Sequence, residues 1–67
     1  MNLNLRQAII QRVQGKDEAE LLDIIDGSID TDERTLPGLG VLFEIIWKHC
    51  EQNTREELVL TLKEHLA

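Results

Sequence analysis

The segment Leu36-Pro37-Gly38-Leu39-Gly40-Val41-Leu42-Phe43-Glu44-Ile45-Ile46-Trp47 carries a single ionisable side chain, Glu44. A stretch this apolar gains by leaving water on nearly every side, so it belongs in the middle of whatever packs around it. Pro37 suits the first turn of a helix, where its missing amide hydrogen has no partner to lose. The length of the run favours a helix over the short strand that β-propensity allows for Val41 to Ile46. A helix is therefore predicted from Pro37 to Cys50, with Glu44, Lys48 and His49 as its solvent-seeking side chains. Leu36, immediately before proline, is expected to be extended. Inside a helix Gly38 and Gly40 each cost about 1 kcal/mol relative to alanine, which reads as close approach of a neighbouring backbone or as a tight turn before the helix.

The remaining segments read as helices as well. Between Leu3 and Gln14, Asn4, Gln7, Gln11 and Gln14 recur at helical spacing opposite Leu5, Ile9, Ile10 and Val13, and Gly15 is a stop that can turn left-handed without a side-chain clash. Asp17 with Glu20 forms a capping-box start. Beyond it Leu21, Leu22, Ile24, Ile25 and Ile29 are expected on one side, with Asp23, Asp26 and Asp30 on the other. Gly27 and Ser28 weaken the end of this helix, and Asp30 to Thr35 is read as a loop. A second capping box, Thr54 with Glu57, opens a last helix striped by Leu58, Val59, Leu62 and Leu66. Leu60 points off that stripe, as an ordinary surface leucine or as part of a contact with another chain. The predicted fold is all-α: a single small domain spanning 1–67, a compact bundle of about four short helices with the Pro37 to Cys50 helix at its centre.

Size limits what this bundle can do. A chain of 67 residues buries only about 60% of the surface that it exposes unfolded, so self-association is the expected extra support. The single Cys50 has no intramolecular partner for a disulfide, which favours a reducing compartment. The N-terminal residues lack the layout of a signal peptide and the apolar run is far short of the roughly 20 residues of a membrane span, so a soluble, unexported protein is expected.

Net charge is −6, unevenly distributed. Residues 1–16 hold Arg6, Arg12 and Lys16 and no acid; residues 17–33 hold eight acids and no base; the remainder has four bases and five acids. Consecutive basic and acidic elements are read as complementary parts of one fold, and a nucleic-acid arm is disfavoured because three cations are few and the adjoining acids repel phosphate. Arg6 lies near the middle of the first helix's apolar arc, and its predicted partner is an acid of the second helix or of the following loop.

Chemistry-bearing patterns are weak. Gly38-Leu39-Gly40 lacks the third glycine, the lysine and the preceding strand of a phosphate loop. His49 and Cys50 are adjacent on a helix and diverge by about 100°, so they do not converge on a zinc ion. Asp23, Asp26 and Asp30 read as a solvated acidic face rather than a calcium site. A chain this small leaves little room for a catalytic cleft. The expectation is a non-enzyme with no cofactor, no metal, no small-molecule substrate and no membrane association. Its candidate structural or interaction residues are Arg6, Pro37, Gly38, Gly40, Phe43, Trp47 and Leu60.

Met1 to Ile10 and, above all, Leu36 to Trp47 resemble the small acid-soluble spore protein I family of endospore-forming bacteria, and the likeness extends over essentially the whole chain. The resemblance implies a minor protein of the dormant spore core, made in the forespore, with no assigned enzymatic activity or cofactor. It does not imply the DNA coating of the α/β-type spore proteins, whose sequences are different. The leading expectation is a non-catalytic binding or packing protein whose partner is another protein or a second copy of itself in a homodimer, met through apolar surface around the third helix and Leu60. The alternative is a nucleic-acid-associated spore protein using the basic N-terminal helix.

Overall fold

The computed structural model describes residues 4–66. Helix α1 spans Leu5–Val13, α2 Glu18–Ser28, α3 Leu36–His49 and α4 Gln52–Glu64, with a 3-10 turn at Glu33–Thr35 leading straight into α3. The all-α fold with four helices is as predicted, and α1, α2 and the 3-10 turn all pack on α3. Leu3, the predicted start of the first helix, lies outside the described residues.

Local chemistry explains most of the boundaries. The Asn4 side chain accepts from the Arg6 amide and starts α1, and Gly15 follows its end with φ +81°. In the capping box of α2, Asp17 accepts from the Glu20 amide at 2.8 Å and Glu20 accepts from the Asp17 amide at 3.0 Å. After α2, Asp30 takes φ +55°, a left-handed conformation that aspartate tolerates better than most residues. Asp32 then caps the 3-10 turn through the Arg34 amide and pairs with the Arg34 guanidinium; these bonds hold its carboxyl below the ordinary carboxylate range. The Thr35 hydroxyl reaches the Ser28 carbonyl at 3.1 Å, joining the end of α2 to the start of α3.

Two boundaries differ from expectation. Leu36 is helical, not extended: its amide donates to the Glu33 carbonyl and continues the 3-10 turn, which outweighs the bias that proline places on its predecessor. The Thr54 and Glu57 box does not form, because α4 begins three residues earlier, after an extended Glu51 and without a side-chain cap. Thr54 is thus already inside the helix.

Burial is thinner than the pattern suggested. Val41 of α3, 7% exposed, is the one buried hydrophobic residue among those described, while Phe43, Ile45 and Ile46 on other sides of the same helix are exposed. Helix α3 is central, but its neighbours are too few to wrap it. On α2, Leu21, Ile24, Ile25 and Ser28 face inward while Leu22 lies exposed, as does Ile29, the extended residue just past the helix. The glycines do not mark a close backbone approach. A Cβ on Gly38 would touch the Ile9 side chain at an ordinary 3.5 Å, and one on Gly40 would meet nothing within 4 Å.

Candidate protein-docking face

Of the twelve large hydrophobic residues exposed among those described, seven lie on the C-terminal half of α3 or on and just past α4: Phe43, Ile45, Ile46, Val59, Leu60, Leu62 and Leu66. Phe43 and Trp47, one turn apart on α3, lie with ring centroids 5.7 Å apart and planes tilted by 38°. Arg55 joins them from the first turns of α4. Its Nε donates to the Trp47 carbonyl at 2.9 Å, satisfying one of the carbonyls left over at the end of α3, and its guanidinium carbon lies 5.7 Å from the Trp47 ring centroid. Cys50 donates its thiol to the same carbonyl at 3.6 Å. This junction ties α4 to α3 at one end only, and the rest of α4 is lightly attached.

A groove of about 570 Å³ results, walled by Phe43, Glu44 and Trp47 on α3 and by Leu58, Val59 and Leu62 on α4. Phe43 and Val59 are each half exposed and Leu62 is 58% exposed. A second hollow of about 480 Å³ lies on the other side of the Trp47 and Val59 ridge, bordered by Arg55, Leu60 and Lys63. Two apolar hollows flanking one aromatic ridge are a shape suited to receiving side chains from another surface.

The seven residues singled out in the sequence fall into two groups. Phe43, Trp47 and Leu60 border the docking face. Arg6, Pro37 and Gly40 meet at the opposite end of α3, around a smaller cleft that also includes Glu44, while Gly38 faces Ile9. The expected partner of Arg6 is corrected: it is Glu44 of α3, not an acid of α2 or of the loop, with Nε at 2.6 Å and Nη2 at 2.8 Å from the two carboxylate oxygens. Among the described residues no salt bridge joins α1 to α2, so the opposite charges of these helices are not expressed as an ion pair. The Arg6 hydrogen bond, helped by the charges of Arg6 and Lys48, holds the Glu44 carboxyl below its ordinary range against the opposing pull of partial burial. Glu44 therefore belongs both to the ion pair and to the groove wall. Leu58, Val59 and Leu62 were expected on the apolar stripe of the last helix and Arg55 was not singled out, since its contact with Trp47 depends on how the chain turns between α3 and α4.

His49 and His65 each donate Nδ1–H to a carbonyl of their own helix, Ile45 at 2.9 Å and Thr61 at 2.8 Å. Among the described residues no three His, Cys, Asp or Glu side chains gather as a metal site. No described helix is long and apolar enough to cross a membrane.

The family model described as small, acid-soluble spore protein I matches residues 3–66. The chain belongs to that family. A small, acid-soluble spore protein I of Halalkalibacterium halodurans is 48% identical over 59 residues, covering 87% of this chain and 87% of the relative. Proteins of the same description from Geobacillus sp. and Bacillus licheniformis are 46% and 45% identical, over 96% and 98% of this chain and 92% and 96% of theirs. No solved structure matches the chain. Family membership makes this a spore protein, as the Leu36 to Trp47 segment implied, and the family's fold is here a four-helix arrangement whose last helix leaves an apolar groove open.

Proposed function

We propose that this spore protein acts in the spore core as a non-catalytic binding or packing protein, and that the α3–α4 face is where it meets other protein. The observation that carries the reading is the groove itself: Phe43 and Val59 stand half exposed as facing walls, with Trp47 between them fixed by Arg55. Leaving such side chains in water forgoes stabilisation of about 25 cal/mol for every Å² that a partner would cover. The competing reading, contact with nucleic acid through Arg6, Arg12 and Lys16, has less support, since the Arg6 guanidinium is engaged by Glu44.

A photo-crosslinking residue at position 59, compared with one at Asp23 on the acidic face of α2, tests this in intact spores. Protein adducts at position 59 and few at position 23 are expected. Equal adduct formation at both positions, or adducts to DNA from either, would overturn the reading.

A further inference from the structure

We propose that the α3–α4 face is closed by a second copy of this chain, in a two-fold dimer in which α4 of each copy lies in the groove of the other. The inference rests on the reading of that face as a protein-binding surface and names its occupant.

Area is the first reason. The chain exposes 5983 Å², whereas a folded monomer of 7.7 kDa exposes roughly 4,300 Å². The excess, roughly 1,600 Å², is shared with Leu5, Leu22, Ile29 and Leu36 on other faces, and half of it would supply the ~800 Å² that each partner contributes to a stable interface of standard size. A monomer with Val41 as its one buried hydrophobic residue among those described has the marginal core that oligomerisation commonly supports.

Self-complementarity is the second. A two-fold interface uses the same patch twice, so the patch must be both groove and ridge. Helix α4 meets that demand: Val59 and Leu62 line the groove of their own copy and also project from it, and Leu66 continues their stripe one turn beyond. Phe43 and Trp47 supply the aromatic floor that a projecting leucine or valine would cover.

Charge is the third. Two chains of net charge −6 repel, and the eight acids of residues 17–33 make the α2 side the worst place for them to meet. Residues 34–67 are almost neutral, and the border of the face carries both signs, Arg55 and Lys63 with Glu56. Glu44 in the groove wall is already paired with Arg6, so two copies related by a two-fold meet far less like-charge repulsion along α4 than along α2.

Sedimentation equilibrium of the full chain and of Leu62→Glu, with Trp47 emission followed over the same concentrations, tests the dimer. The wild type is expected at twice the 7.7 kDa monomer mass, with Trp47 emission moving to shorter wavelength as concentration rises. Leu62→Glu is expected to weaken association by more than about 100-fold while keeping its helical circular dichroism, because Leu62 is 58% exposed within one copy. A wild type that stays monomeric with unshifted Trp47 emission up to about 1 mM overturns the dimer, as does a Leu62→Glu variant that associates like the wild type. The emission of the sole tryptophan reports on the unmodified chain, so the test survives a variant that fails to fold. Monomeric protein whose position 59 still crosslinks to a different protein in spores would end the dimer and leave the docking face standing; monomeric protein with no such adduct would end both.

Discussion

Arg6 grips Glu44 with two nearly parallel hydrogen bonds, 2.6 and 2.8 Å long, across 38 positions of sequence. The fork geometry suits arginine in a way that lysine does not match. Because the bond holds the Glu44 carboxyl below its ordinary range, its stabilisation is in full force above the carboxylate range of the unfolded chain and fades as pH falls through the lower, folded value. Glu44→Gln should therefore melt slightly below the wild type at neutral pH, and the gap should close on acidification. Thermal melts of both proteins from neutral pH into the acid range check this; a gap that widened with acid would refute it.

Asp17→Ala should cost about 1 kcal/mol, since it removes the oxygen that receives the Glu20 amide and breaks the reciprocal box at the start of α2. Urea unfolding followed by circular dichroism measures it. Asp17→Ser, which keeps an acceptor at the cap, should recover most of the loss.

Gly40→Ala should stabilise the protein by about 0.5 to 1 kcal/mol. The residue is helical, its φ is not positive, and an added methyl group meets nothing within 4 Å. The expected readout is a higher urea midpoint with an unchanged slope.

Arg55→Lys should cost about 1 kcal/mol and loosen the start of α4, because lysine lacks the planar guanidinium that lies against Trp47 while its Nε bonds the Trp47 carbonyl. A longer-wavelength Trp47 emission in the folded variant would mark the loosening. An unaltered spectrum and midpoint would show that α4 is held some other way.

What could be read from the sequence was whatever the chain settles over a few residues. The Asp17 and Glu20 box and the Gly15 stop depend on neighbours within one turn, and both stand in the structure. The partner of Arg6 depends on which helix α1 lies against, and no local pattern encodes that. Thr54 and Glu57 had the spacing of a box, but helix propagation from Gln52 overtook them. The docking face was half legible: Phe43, Trp47 and Leu60 were picked out, while Leu58, Val59 and Leu62 look the same in sequence whether their stripe meets the chain's own core or is left open.

The long span of the Arg6–Glu44 pair bears on how the chain folds. Every other side-chain hydrogen bond among the described residues closes within eight positions, so little loop entropy opposes the formation of α2, the 3-10 turn and the α3–α4 junction. Chains dominated by such short-range closures fold in microseconds to milliseconds. The ion pair, with the widest loop to close, should then form late, so that in stopped-flow kinetics Glu44→Gln quickens unfolding while leaving the folding rate almost untouched.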